Sequence, residues 1–349
     1  MLQDEEVYSE MNTFSIESRR YIGSKTKLID WIMDIISKEA PKAQTFCDVF
    51  AGTGTVSSQA ISRYREIIVN DFLYSNHVIY NVFFANGVWD KVKLEKIIAE
   101  YNQLKAENIE DNYFSLNYGD KYFGKDLAKI IGFIRQDIED RKRNLTEKEY
   151  HILLSSLIYS MDRVSNTIGH YEAYLKKPIP EHYINMRLID AHCFDNVRIF
   201  REDSNQLVRH VAADVFYVDP PYNSRQYSRF YHVYETLVHW DKRPLFGVAM
   251  KPQVENMSEY CSCRARDAFA DLISNMDAKY IFVSYNNTYH SKSKSSQNKI
   301  TLEEIRSILE TKGETKILEH AYQFFNAGKT DFKDHKELLF VTKVYCYDK

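Results

Sequence analysis

No stretch of this 349-residue sequence carries an apolar run near the length that crosses a bilayer. A helical membrane anchor is thereby excluded, and a soluble chain without membrane contact is expected. Cysteine is scarce: the five are Cys47, Cys193, Cys261, Cys263 and Cys346, and their spacing builds no disulfide framework. Cys261 and Cys263 have one residue between them, closer than zinc-binding pairs usually stand. A reduced, cytoplasmic protein without a metal is expected. An excess of positive charge is also missing. Lys and Arg number 46 against 49 Asp and Glu, a formal net charge of -3. That excludes indiscriminate coating of nucleic acid and still permits a local basic cleft. The opening residues are acidic and polar, with neither a signal peptide nor a basic arm, and residues 1–17 read as an N-terminal tail. There is no internal repeat, and the one biased tract is the basic loop His290–Lys299.

Apolar residues make up 44% and charged residues 27%, enough for a large core in one main domain with a smaller lobe. Leu28, Ile29, Trp31, Ile32, Ile35 and Ile36 recur at helical spacing and predict a helix over 26–38 that ends before Pro41. Thr45–Phe50 reads as a buried strand, followed by a glycine loop, a helix from Thr55, and the strand Glu66–Val69 with Asn70 and Asp71 at its exit. Strand, loop, helix, strand is the opening of a doubly wound α/β sheet. Helical periods then dominate from Asn76 to Asn196, with polar loops at Asp111–Gly124 and Arg163–Tyr174. Strand patterns return at Val197–Phe200, Asp214–Val218, Tyr280–Ser284, Glu314–Leu318 and Glu337–Val344. The sheet is interrupted and then completed. Residues 18–75 and 197–349 are expected to form the catalytic domain, and 76–196 an insert.

The loop Phe50-Ala51-Gly52-Thr53-Gly54-Thr55 has the small residues that let backbone approach a ligand. It lacks the Lys-Ser/Thr pair of a triphosphate loop and the third glycine of a dinucleotide fingerprint. Adenosine binding without a pyrophosphate is the reading left. Asp71 is placed to accept ribose hydroxyls. Tyr21 and Lys25 bring a ring and an amine ahead of the first helix, Lys25 suiting a cofactor carboxylate, and Asp203 with Ser204 suits an adenine.

The run Val215–Val218 leads into Asp219-Pro220-Pro221-Tyr222. This sets a carboxylate, a rigid turn and a ring at a strand end. An exocyclic adenine amine is a poor nucleophile because its lone pair is delocalised. Hydrogen bonds from that amine to the Asp219 carboxylate and the Pro220 carbonyl favour the geometry that frees the pair. Asp219 then stabilises positive charge developing on the nitrogen, and Tyr222 offers a face to an extruded base. A Pro-Pro turn after a strand is also found with no such role.

Together these segments resemble the D12, or Dam-like, class of adenine-N6 DNA methyltransferases in its alpha arrangement, as in type II restriction-modification systems. Residues 48–57 are similar to its cofactor loop, 219–222 to its catalytic motif and 22–29 to its N-terminal cofactor segment. The resemblance spans most of residues 20–344. It implies a Rossmann-like S-adenosylmethionine-dependent methyltransferase sheet with a mostly helical inserted target-recognition domain. It implies S-adenosylmethionine as methyl donor, S-adenosylhomocysteine as product, double-stranded DNA as substrate and a cognate restriction endonuclease as functional partner, with the chain a monomer or weak dimer. Asp219, Pro220 and Tyr222 take the catalytic positions. Tyr21, Lys25, Phe50, Ala51, Gly52, Gly54, Asp71, Asp203, Ser204 and Asp219 take the cofactor positions. Tyr21 stands where relatives often carry tryptophan, and Thr53 and Thr55 are bulkier than in more glycine-rich members.

The insert is expected to recognise DNA. Arg163, Asn166, His170 and Tyr171 resemble the family segment that holds the duplex, and they equally suit an ordinary polar loop. Asn223, Arg225 and Arg229 follow the catalytic motif, the arginines as phosphate contacts. Methylation of RNA or of a protein amide, and an inactive DNA-binding module, are the competing readings.

Overall fold

The computed structural model of the protein describes residues 13–179, 182–287, 298–321 and 336–345. Most of the expected tail, the loop His290–Lys299 up to residue 297, and Cys346 lie outside the described residues. Chain contacts divide the molecule into two compact units: residues 25–72, 196–227 and 255–349, and residues 1–24, 73–195 and 228–254.

The first unit is a sheet. Its strands are β1 Thr45–Asp48, β2 Glu66–Asn70, β3 Val197–Phe200, β4 Ala212–Val218, β5 Asp277–Asn286, β6 Gly313–Ala321 and β7 Lys336–Val344. They lie in the order β3-β2-β1-β4-β5-β7-β6. The first five in space are mutually parallel, and β7 runs antiparallel between β5 and β6. Phe46, Ile67, Val215, Phe216, Ile281 and Phe282 have no solvent exposure. Central parallel strands are covered on both faces, which is why these read as continuous apolar runs rather than alternating ones. Alternate residues Cys47, Ile68, Phe216, Val218, Ile281 and Val283 share one cluster with Phe269, Leu272 and Ile273 of the helix Ala265–Asn275 and with Ile305 and Leu309 of the helix Leu302–Glu310. The helix expected over 26–38 forms at Ile29–Glu39 and buries Ile29, Ile32, Met33, Ile35 and Ile36, one stripe at 3.6-residue spacing. The helix from Thr55 is only six residues, Thr55–Ala60. Chain order reverses between β1 and β4, and in open parallel sheets ligands bind beyond the strand carboxyl ends at such a switch point.

The second unit is helical: Tyr74–Phe83, Lys91–Tyr101, Tyr113–Tyr118, Lys125–Asp140, Glu147–Val164 and His232–His239 are its main helices. Glu147–Val164 starts with a capping box between Thr146 and Glu149, and every side chain from Lys148 to Asp162 is buried. Three expectations differ here. Asp111–Gly124, read as a loop, contains the helix Tyr113–Tyr118, because the Asn112 side chain accepts from the Phe114 and Ser115 amides and nucleates the turn. The helical pattern also stops at Val164, and residues 165–179 and 182–195 follow an irregular path. Residues 228–254, assigned from sequence to the catalytic domain, group with the helices. The reason is local. Arg135, wholly buried, donates to Leu237 O at 2.5 Å and to Tyr150 Oη at 3.1 Å, so the 232–239 helix is tied into this unit's core.

Candidate active site

At the strand exits of the sheet unit, the carboxylates of Asp48, Asp71, Asp219 and Glu337 and the ammonium of Lys25 are drawn together. Asn70, fully buried at the end of β2, organises the backbone around them. Its Nδ2 donates to Val49 O and Glu202 O, both at 3.1 Å, and its Oδ1 accepts from Glu202 N at 3.0 Å. The ends of β1, β2 and β3 are thus clamped by one amide. Ala51 N donates to Asn70 O at 2.9 Å, and the chain then turns through Gly52 (φ 53°) and Gly54 (φ 79°). Both angles lie in the left-handed region, where a side chain is strained. Gly52 N donates to Asp71 Oδ2 at 2.9 Å, so the carboxylate after β2 is held against the glycine loop. Phe50, half-buried, packs edge-on against Tyr260 at 5.1 Å. Asp203 is exposed, and its carboxylate caps the short helix Ser204–Leu207 by accepting from Asn205 N and Gln206 N. Ser204 Oγ donates to Val49 O at 3.2 Å.

Beneath the loop lies Asp48, the first residue of the segment 48–57, which the sequence does not single out as a site residue. Its Oδ2 accepts from Ser57 Oγ at 2.7 Å, and its buried Oδ1 has no hydrogen-bond partner among the described residues. Burial pushes this carboxyl up, the Ser57 hydrogen bond opposes it, and repulsion from Asp219 and Asp71 adds to the rise, to about 7.

The second half is the turn after β4. Lys25 Nζ stands 3.0 Å from Asp219 Oδ2, 3.0 Å from Glu337 Oε1 and 2.5 Å from Tyr222 Oη. An ammonium has three protons to donate, and each has an acceptor. Tyr222 Oη in turn donates to Asp219 Oδ1, and Ser284 Oγ donates to Glu337 Oε1 at 2.8 Å. Burial raises the Asp219 carboxyl, attraction to Lys25 lowers it and repulsion from Glu337 raises it, for a value of about 6. Burial lowers the Lys25 pKa, but the two carboxylates outweigh it, and the group holds its proton more tightly than an ordinary lysine. Burial and then the Asp219 charge push the Tyr222 phenol well up, so it stays a neutral donor. Its ring meets Tyr285 edge-on at 4.8 Å. Lys25 is thus paired within the chain with both Asp219 and Glu337. Among the described residues, no group of three or more His, Cys, Asp or Glu is arranged to hold a metal ion.

Asn223 and Arg225 follow within the same unit: Asn223 Oδ1 accepts from Arg225 N at 3.0 Å, and Cys261 Sγ donates to Arg225 O at 3.3 Å. The remaining expected residues belong to the helical unit. Tyr21 stacks on Tyr231 with ring centres 4.6 Å apart and carries the Arg19 guanidinium at 4.9 Å. Arg163 is exposed and lies over the Phe14 ring at 5.0 Å. His170 is half-buried against Phe230, and Arg229 donates to Pro252 O at 2.8 Å. Two placements run against a surface role. Tyr171 has no exposed area and packs among Tyr122, Phe123 and Tyr234. The Asn166 side chain donates to Lys121 O and Leu175 O, stitching two loops together.

The family model for D12 class N6 adenine-specific DNA methyltransferases matches residues 21–298. Over 329 residues the chain is 30% identical to the type II methyltransferase M.NlaIII of Neisseria lactamica, covering 90% of this chain and 95% of that protein. It is 34% identical over 280 residues to the type II methyltransferase M.CviAII of Paramecium bursaria Chlorella virus 1, covering 76% and 82%. To the modification methylase StsI of Streptococcus sanguinis it is 33% identical over 341 residues, covering 92% of this chain and 51% of StsI, about half that relative's length.

Proposed function

The chain belongs to the D12 class of N6 adenine-specific DNA methyltransferases, and on that premise we propose that Asp219, Pro220 and Tyr222 activate the adenine amine at the carboxyl ends of β1 and β4. The observation that carries the assignment is the Lys25–Asp219–Tyr222 network. It fixes both Asp219 oxygens while each keeps a further lone pair for an incoming N–H. The carboxylate and the Pro220 carbonyl hold the amine so that its lone pair points away from the ring. Asp219 then stabilises the positive charge that builds on nitrogen.

The methyl donor we assign is S-adenosylmethionine, which supplies a sulfonium-bound methyl group and leaves as S-adenosylhomocysteine. The residues present fit it. Gly52 and Gly54 bring no side chain to their two positions in the loop, Asp71 is fixed beside it, and the buried Asp48 Oδ1 has no hydrogen-bond partner among the described residues. Phe50, Ala51, Asp203 and Ser204 line the same strand exits and would take part in holding it. An acidic cradle suits a cationic donor. Arg225, next to the catalytic turn, is our candidate for a phosphate contact. A restriction endonuclease reading the same sequence is the functional partner this role calls for.

Purified protein incubated with methyl-labelled S-adenosylmethionine and, in parallel, unmethylated mixed-sequence duplex DNA, RNA and a protein extract tests this. Label in duplex DNA is expected. Label in RNA or protein amides instead, or DNA binding without transfer, overturns it.

A further inference from the structure

We propose that Glu337, on β7, is a positioning residue for methyl transfer: it shares the Lys25 ammonium with Asp219 and so preserves a negative charge at the amine-binding carboxylate. The inference rests on the reading of Asp219 given above. A lone Lys25–Asp219 pair would be internally neutral. Its carboxylate would face an incoming amine with most of its charge already answered by a buried ammonium 3.0 Å away. With Glu337 Oε1 also 3.0 Å from Lys25 Nζ, two carboxylates share one cation and the cluster carries a net negative charge. That charge is what positive charge developing on the amine nitrogen requires.

The geometry is built for sharing. The side chains of Lys25 and Glu337 are each 7% exposed, so solvent screens neither strongly. Glu337 is held from behind by Ser284, itself fully buried, on the neighbouring strand β5. The groups facing Asp219 are Lys25 from the segment before the first helix, Glu337 from β7, Tyr222 from its own turn, Tyr217 from β4 and Asp48 from β1. Lys25 is the one cation among them. Glu337 does not reach the substrate in this account and acts through Lys25.

The test is single-turnover transfer of labelled methyl to unmethylated mixed-sequence duplex DNA, with full-length enzyme in excess and pH varied. Glu337→Gln keeps the shape and the Ser284 contact and removes the charge. The expected result is a rate lower by about tenfold or more with the acid limb moved to lower pH. The sign follows from the geometry: losing a repelling carboxylate leaves Asp219 easier to deprotonate. Glu337→Asp, which keeps the charge, should recover most of the rate and the wild-type acid limb. A role in packing alone would move neither limb. Glu337→Gln with the wild-type rate and acid limb overturns the proposal while leaving DNA methylation standing; a wild-type enzyme that transfers no methyl to DNA removes the reading beneath it. If Glu337→Gln does not fold, Ser284→Ala decides. Loosening Glu337 should slow transfer several-fold, and an unchanged rate overturns the proposal.

Discussion

Replacing Lys25 by methionine removes the one cation from the Asp219–Glu337–Tyr222 cluster while keeping nearly the same volume. The side chain is 7% exposed, and two carboxylates, 16% and 7% exposed, would be left facing one another across the gap. Breaking a buried pair by removing one partner costs about 3–5 kcal/mol, chiefly because the remaining charge is buried and unanswered. A loss of that size at neutral pH is the expected outcome in urea unfolding followed by circular dichroism. Its pH dependence is diagnostic. In the wild type Asp219 already sits at about 6, above its ordinary value. Without Lys25 it moves higher still, so the folded variant binds a proton more tightly than its unfolded chain. Stability gained from that proton is present at low pH and lost as pH rises through the folded pKa. The deficit relative to wild type should therefore shrink as pH falls towards about 6 and level off below it, where Asp219 is protonated in both folded proteins. A variant within about 1 kcal/mol of wild type at neutral pH, or a deficit that is flat with pH, refutes the claim that this ammonium holds the site together.

Gly54→Ala places a side chain at φ 79°; it should cost about 1 kcal/mol and weaken S-adenosylmethionine binding in calorimetric titration, and unchanged affinity removes the glycine loop from the cofactor site. In the helical unit, Lys148 Nζ lies 2.7–2.8 Å from Asn81 O, Val82 O, Ala85 O and His192 O, four acceptors that share its three protons. Lys148→Met strands these carbonyls and should cost roughly 3 kcal/mol in urea unfolding, without changing the pH profile of transfer.

Much of the sheet was readable because buried parallel strands are short apolar runs ended by turn residues. All seven strand patterns fall within or against the observed strands; burial explains β1, β2 and β4, whereas β3 is mostly half-buried and β6 largely exposed. The helix Tyr113–Tyr118 was missed because Asn112 reads as a loop residue unless its capping of Ser115 is recognised. Glycine loop and catalytic turn are legible as motifs, but the acid that shares Lys25 with the catalytic turn is not. Glu337 meets Lys25 through a pairing between distant segments, and the only hint is an acid opening the apolar run of β7. In the sequence Asn70 reads as a strand exit; in the fold it clamps three strand ends. Tyr171 illustrates the opposite error: a polar-aromatic loop motif was read as a surface, yet its ring fills the tyrosine core of the helical unit. Aromatic abundance alone does not separate stacking platforms from packing.

The most direct measurement is mass spectrometry of nucleosides from duplex DNA treated with S-adenosylmethionine and either the wild-type protein or Asp219→Ala. The wild type should yield N6-methyladenine, and the variant none while still unfolding cooperatively. A methyl group on any other position, or a folded Asp219→Ala protein that works at the wild-type rate, contradicts the account.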